Sequence, residues 1–306
     1  MSNETVFVVN PASGSGKTGG LWPEMLERAA ARGLRGETLL TEGRGHASSL
    51  VEEAAANGAR VVVVVGGDGT VNEAVNGLRR APSEHVELAI LPRGTGDDFA
   101  RTFGIPADFD RALEIAADGV ARTIDIGRAR YVSLEGSEEE RYFVNFAGAG
   151  ISGAIAKRGA ATSRRLGARL AYFWATIAVF ARWKSSEMTL EIDGERRMSQ
   201  LYEVIVANGA YVAGGMRIAP EASPDDGLFE TVLIGDFTKA EFMVTFPKIY
   251  RGTHVGHRKV EIVRASTVSV DAAVPLPVVL DGEQPGVTPA RFEIVPGALR
   301  VRVPAV

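Results

Sequence analysis

Five valines at positions 61–65 run straight into Gly66-Gly67-Asp68-Gly69-Thr70, the most chemically informative junction in the chain. Glycine allows a backbone to turn tightly against a ligand. Amides in such a turn, and at the start of a helix behind it, carry partial positive charge without an acceptor of their own, so they attract phosphate. Asp68 stands among them. A carboxylate repels phosphate unless a cation lies between the two, so turn and carboxylate together ask for a divalent metal on a phosphorylated ligand. A nucleotide complexed with Mg²⁺ is the simplest ligand that meets both demands, and phosphoryl transfer is the chemistry it offers.

Such a turn needs a strand before it and a helix behind it. The valine run reads as a parallel strand buried on both faces. Val71, Ala74, Val75 and Leu78 then recur at helical spacing, which predicts a helix starting after Thr70. Residues 1–122 repeat this alternation, with strands expected at 6–10, 37–41, 61–65 and 88–92 and helices at 21–32, 46–57, 71–79 and 108–118. That is the pattern of a doubly wound α/β sheet, whose ligands lie beyond the carboxyl ends of the strands. The glycine-rich segments all fall on that edge.

Beyond Asp125 the rhythm changes. Strands are expected at 142–146, 188–192, 202–208, 228–234, 259–265 and 291–303, interrupted by helical stretches at 162–183 and 238–251. Asp193-Gly194 and Asp281-Gly282 are hairpin-turn pairs that indicate antiparallel neighbours. The expected architecture is therefore an N-terminal doubly wound α/β nucleotide-binding domain over residues 1–124, followed by a mostly antiparallel, β-sandwich-like domain over 125–306. The active site is expected in the cleft between them.

Composition narrows the function. With 306 residues, 45% of them hydrophobic, the chain can bury two cores. A net charge of -4 and a pI near 5.7 argue against a nucleic-acid partner. The absence of cysteine excludes disulfides, thiolate metal sites and cysteine nucleophiles. Residues 1–10 pass directly into a strand pattern without a cationic start, apolar stretch or cleavage site, so a cytoplasmic address is expected. The longest apolar stretch, 170–181, is shorter than the roughly 20 residues that span a bilayer, although it could lie on one.

Three familiar patterns are incomplete. Ser15-Gly16-Lys17-Thr18 resembles the end of a Walker A loop, but the position of its first glycine holds Pro11. Residues 148–153, GAGISG, match the dinucleotide fingerprint formally, yet no acid occurs between Glu140 and Glu187 to hold a ribose, so a tight crossover is the better reading. His254 and His257 are three apart without another obvious zinc ligand, which favours a polar turn.

Four further segments agree with one another. NPASG (10–14), GGDGTVNE (66–73), LPRGTGDDFAR (91–101) and PEASPDDGLFE (220–230) occur in that order across essentially the whole chain, and Asp281-Gly282-Glu283 adds a fifth. The combination resembles the diacylglycerol kinase catalytic-domain family, specifically the soluble bacterial lipid kinases. The resemblance implies ATP and Mg²⁺ as cofactors. ATP is then expected against Asn10, Pro11, Ala12, Ser13 and Gly14, Thr41, Thr95, and the run Gly67, Asp68, Gly69, Thr70, Val71, Asn72 and Glu73. It also implies Glu283 as proton acceptor for a lipid hydroxyl, with Asp68 and Asp125 organising Mg²⁺ and the reacting groups. Without the family, Glu283 reads as a hairpin-turn carboxylate. A second, structural Mg²⁺ away from the chemistry is implied on the Asp226 carboxylate and the carbonyls of Ser223 and Leu228. One departure stands out: relatives commonly carry Asn where this chain has Asp97, which puts two adjacent acids beside the phosphate site.

Residues 155–184 contain seven lysines and arginines and no acid, around Leu166, Leu170, Phe173, Trp174, Ile177 and Phe180 at helical spacing. Such a segment suits the interface of an anionic membrane, with a core-packed helix as the alternative. The expected activity is phosphorylation of diacylglycerol to phosphatidic acid by a peripheral enzyme at the cytoplasmic face of the inner membrane. The alternatives are a kinase for another lipid alcohol, such as phosphatidylglycerol or a sphingoid base, and a nucleotide-responsive lipid-binding regulator. A homodimer is compatible with each of these.

Overall fold

The computed structural model of the chain describes residues 4–81, 84–161, 176, 178–180 and 182–305. They form two compact units: one holds the chain up to Ile124 and again from Gly297, and the other is Asp125–Pro296. In chain order the elements of the first half are β1 (Thr5–Val9), α1 (Ser13–Gly16), α2 (Thr18–Ala31), β2 (Glu37–Leu40), α3 (His46–Ala56), β3 (Val61–Gly66), α4 (Asp68–Leu78), β4 (Glu87–Pro92), α5 (Asp98–Thr102) and α6 (Phe109–Asp118). There follow β5 (Val120–Ser133), β6 (Glu138–Phe143), β7 (Phe146–Gly150), α7 (Ile151–Ala161), β8 (Ser186–Ile192), β9 (Glu195–Ala207), β10 (Phe229–Gly235) and α8 (Lys239–Ile249). A 3-10 turn at Thr253–Gly256 leads to β11 (Val260–Ala265), β12 (Thr267–Asp271), β13 (Pro277–Leu280) and β14 (Glu283–Val303).

The first unit is the expected α/β sheet, with strands in the order β14-β4-β3-β1-β2 and every pairing parallel. Helices on both faces bury the valine run completely, which is why its sequence does not alternate. From β1 the chain moves one way to β2 and returns to place β3 on the other side. The carboxyl ends of β1 and β3 therefore flank a topological switch point, the usual ligand position in such sheets. The residues after Pro296 correct the expected domain boundary. They complete the first sheet, Arg300 facing Glu87 in register with β4, and both Arg300 and Arg302 donate to the Glu87 carboxylate at 2.8 and 2.9 Å.

Nine strand pairs of the second unit, from β6 on β5 to β12 on β14, are antiparallel. Long strands do the folding work there. The first half of β9 pairs with β8 and its second half with β7, while β14 pairs in turn with β13 and β12. The circuit β9-β7-β13-β14-β12-β8 closes on itself, so these six strands leave no free edge among themselves, while β6 and β11 each have a single neighbour. Phe143, Phe229 and Phe292 fill the interior, the first two stacked with ring centroids 5.6 Å apart.

Two expectations shift locally. The predicted strand 142–146 is in fact two strands, β6 ending at Phe143 and β7 starting at Phe146, with the chain bending at Val144 and Asn145. Helix α4 starts at Asp68, not after Thr70, which puts the glycine turn inside the first helical turn. No helix among the described residues is long and apolar enough to cross a membrane. Of the stretch predicted at 162–183, residues 162–175, 177 and 181 lie outside the described residues, and with them Arg164, Arg165, Arg169 and most of the apolar stripe.

Candidate active site

In the first unit the loops after β1, β3 and β4 converge. Asn10 donates from Nδ2 to Thr70 Oγ1 at 3.1 Å and accepts from the Ala12 amide at 3.0 Å, so one side chain ties the first loop to the third strand's turn. Ser13 Oγ lies 2.8 Å from Thr18 Oγ1, and the Gly14 amide donates to the Arg93 carbonyl at 2.7 Å. Gly14 and Gly16 take left-handed conformations, which explains the glycines of the incomplete Walker-like stretch without a Walker loop. The turns after β3 and β4 touch backbone to backbone. A methyl group built on Gly67 would lie 2.8 Å from Gly94 Cα, and no side chain fits between them.

The amides of Asp68 and Gly69 open α4 with no carbonyl one turn behind to receive them, whereas those of Thr70 and Val71 bond to Gly67. This edge suits phosphate. Asp68 Oδ1 accepts from the Phe99 amide at 3.0 Å, which fixes the carboxylate across the turn. The other expected nucleotide residues divide. Pro11, Ala12 and Thr95 are on the loops of this edge, and Thr41 is buried with its amide on Val9. Val71 and Asn72 are buried in α4, Asn72 accepting from Asn76, and Glu73 turns away to accept from the Ala47 amide at the start of α3.

In the second unit, Asp281-Gly282-Glu283 is a tight turn, with Asp281 and Gly282 both at positive φ. Its two acids have different tasks. Asp281 accepts from three consecutive amides, Val144 at 2.8 Å on one oxygen, and Asn145 and Phe146 at 2.9 Å on the other. That carboxylate is what holds the bend between β6 and β7. Glu283 is part-buried at the start of β14, and Arg141 donates to its Oε2 at 2.9 Å. Asp125 is buried and accepts from the Gly227 amide at 2.8 Å, so it meets the Asp225-Asp226-Gly227 turn directly. The turn that was expected away from the chemistry is therefore bonded to one of the residues assigned to it. Asn208 completes the cluster, donating to the carbonyls of Asp125 and Val144 at 3.0 and 2.9 Å.

These donor sets differ in their fit to a cation. Asp68 lies near enough to Asp97 to disfavour the charge on the Asp97 carboxyl, a repulsion that a divalent ion would relieve, so the nucleotide edge fits Mg²⁺. The Asp226 turn is engaged differently. One Asp226 oxygen accepts from the Leu228 amide at 3.1 Å, and the other is paired with the Arg264 guanidinium, while Ser223 Oγ donates to Asp225 at 2.7 Å. Arginine thus supplies positive charge beside the Asp226 carboxylate.

The comparisons with known proteins cover the whole chain. The family model for the diacylglycerol kinase catalytic domain matches residues 4–129, and that for the YegS C-terminal NAD kinase beta sandwich-like domain matches residues 145–303. The diacylglycerol kinase of Bacillus subtilis (strain 168) is 30% identical over 288 residues, 94% of this chain and 91% of that protein. The chain belongs to the diacylglycerol kinase family. The diacylglycerol kinase of Staphylococcus carnosus (strain TM300) is 26% identical over 95% of this chain and 92% of its own length. The crystal structure of a diacylglycerol kinase from Bacillus anthracis str. Sterne shares the fold, with a TM-score of 0.74 at 23% identity over 98% of this chain and 97% of that one. Yeast NADH kinase shares it more distantly, at TM-score 0.54 and 11% identity over 100% of this chain and 84% of that one. Membership makes the chain an ATP-dependent kinase of a lipid-kinase family.

Several features of this family member are invisible in its motifs. The glycines of GAGISG make room for Glu203: a methyl on Gly148 or Gly150 would come within 2.7 or 2.9 Å of its carboxyl oxygens. Glu203 is fully buried, receives the Ser152 amide and hydroxyl at 2.7 and 2.6 Å, and is pushed up to about 8 by burial. Of the two histidines, buried His254 donates Nε2–H to the Ile218 carbonyl at 3.0 Å, and His257 stacks on Phe237. Arg93 was also missed. Its guanidinium lies against the Gly14 turn, with Nε 3.4 Å from Thr18 Oγ1 and no carboxylate within ion-pair distance among the described residues. Only its place between Pro92 and Gly94 hints at this, since an arginine anywhere on a surface looks the same in sequence.

Asp97 carries a testable cost. It sits in the left-handed region and accepts from the Gly94 amide at 2.9 Å; burial first, and then Asp68, push its carboxyl up from 3.8 to about 6. The folded state thus holds this proton more tightly than the unfolded chain does. Stability falls as pH rises from about 4 to about 6 and levels off above. Asp97→Asn keeps the amide contact and tolerates the backbone conformation. In metal-free buffer the variant is expected to match wild type near pH 4 and to exceed it by about 1–2 kcal/mol at neutral pH, allowing for solvent screening. Equal melting temperatures across that range would remove the electrostatic account.

Proposed function

We propose that the chain transfers the γ-phosphoryl group of ATP to the free hydroxyl of diacylglycerol, giving phosphatidic acid, as a peripheral enzyme at the cytoplasmic membrane face. One observation carries this reading. The glycine turns after β3 and β4 meet backbone to backbone around Asp68, in a chain whose relatives over more than nine-tenths of its length are diacylglycerol kinases. Magnesium-bound ATP supplies the phosphoryl group and offsets its charge.

The chain's own residues do the rest. The open amides of Asp68 and Gly69 and the loop tied by Asn10 hold the phosphates, and Asp68 faces the cation. Arg93 adds a positive charge beside the Gly14 turn. Glu283 takes the proton of the lipid hydroxyl, and Arg141 sets its direction before substrate arrives, a pre-organisation that general-base catalysis needs. Asp125 orders the 225–227 turn through Gly227.

Incubating the protein with labelled ATP, Mg²⁺ and a panel of diacylglycerol, phosphatidylglycerol and sphingoid base tests the substrate. Labelled phosphatidic acid as the dominant product is expected. A dominant product from another lipid alcohol reassigns the acceptor, and no transfer to any lipid removes the kinase reading in favour of a regulator. For Arg93→Gln, we expect KM for ATP to rise about tenfold with kcat little changed, since the lost charge acts in both ground and transition states. An unchanged KM would show that this guanidinium does not face the phosphates.

A further inference from the structure

The outward face of α8 is apolar and exposed. The helix is anchored from within: Phe242 stacks on Phe180 with ring centroids 3.7 Å apart and meets Phe246 at 5.1 Å, and Phe180 in turn stacks on Tyr202. Thr238 and Glu241 form a complete capping box at its start. At about 100° per residue, Ala240, Met243, Val244 and Pro247 fall together on the opposite side, all exposed, Met243 by 59% and Val244 by 64%. Lys239 borders this apolar stripe on one side and Lys248 on the other, with Arg251 just beyond the helix.

Charge on this face is one-sided. Between Lys239 and Val260 the only acid is Glu241, and it is engaged by Lys259 at 2.6 Å and Arg258 at 3.3 Å. Lys239, Lys248 and Arg251 have no ion-pair partner among the described residues. Phe180, on which α8 rests, belongs to the acid-free stretch 155–184. An exposed apolar stripe between unpaired cations is what an interfacial helix presents to a bilayer. A second copy is the poorer occupant. A two-fold interface would set these lysines and arginine against their own copies.

We infer that the outward face of α8 is a membrane-docking surface that inserts Met243 and Val244 among the acyl chains of an anionic bilayer while Lys239, Lys248 and Arg251 meet the headgroups. The choice of a bilayer rests on the lipid-kinase reading above. The full chain is tested without ATP by co-sedimentation with phosphatidylcholine vesicles containing or lacking phosphatidylglycerol. Met243→Ser with Val244→Ser is expected to weaken partition onto anionic vesicles by at least about tenfold. Lys239→Gln with Lys248→Gln should lose about tenfold at low salt and little at high salt. In Met243→Trp, the added emission should shift to the blue and be quenched by brominated acyl chains.

Both double variants should keep the wild-type melting temperature, because the anchoring aromatics are untouched. The inference is overturned if wild type does not partition onto anionic vesicles, or if the variants partition as wild type does. It is equally overturned if the serine variant changes the oligomeric state in lipid-free buffer but not vesicle binding, which assigns the face to a second copy. Failure of the kinase reading appears separately, as absence of any phosphorylated lipid in the panel.

Discussion

Replacing Glu283 with glutamine is expected to lower kcat by at least about a hundredfold while ATP affinity and melting temperature stay close to wild type. A lipid hydroxyl is a weak nucleophile until its proton has an acceptor, and a glutamine amide cannot take one at neutral pH. Its carbonyl oxygen can still receive the Arg141 guanidinium, which meets Glu283 at 2.9 Å, so the start of β14 should keep its shape. Steady-state rates on dispersed diacylglycerol and calorimetric titration with ATP separate the two quantities. A kcat within a few-fold of wild type would remove Glu283 as base and return it to the hairpin-turn reading.

Two residues earlier, the expected effect is on stability. Asp281→Ala leaves the amides of Val144, Asn145 and Phe146 without an acceptor in a buried bend, and each lost hydrogen bond to a charged group costs about 1.5–3 kcal/mol. A loss of about 4 kcal/mol or more is expected, with a further contribution from alanine in the left-handed conformation that Asp281 adopts. Asp281→Asn discriminates the cause. Asparagine tolerates that backbone and can serve Asn145 and Phe146 with its one carbonyl oxygen, but its amide nitrogen then faces the Val144 N–H, donor against donor. It should lie between the two, about 2 kcal/mol below wild type. Urea unfolding followed by circular dichroism measures both variants, and an asparagine variant as stable as wild type would show that the bend does not depend on this carboxylate.

Neighbouring acids of one short motif thus separate into a brace and a proposed base, and the sequence does not distinguish them. Asp281 and Glu283 are equally polar, equally placed beside a glycine, and equally suited to a turn. What sorts them is the partner each meets across 135–142 positions of chain, the amides of 144–146 for one and Arg141 for the other. The same holds for Glu73 in the nucleotide motif, whose carboxylate closes the start of α3 instead of facing the glycine turn.

Much was legible all the same, because some signals are local. The valine run, the alternation of strand and helix to residue 122, and the glycine turns at strand ends follow from side-chain periodicity and backbone freedom within a few residues, and these placed the glycine turns on one edge of the first sheet. Tertiary structure decided what periodicity cannot express: that residues after Pro296 return to the first sheet to meet Glu87, that the strand expected at 142–146 breaks in the middle, that GAGISG clears space for Glu203, and that Asp125 reaches Gly227. An alternating strand such as 299–303 satisfies either sheet by its own pattern, and a glycine does not announce whose side chain will occupy the space it leaves. Those choices belong to contacts between segments far apart in the chain, where packing and buried hydrogen bonds must be satisfied together.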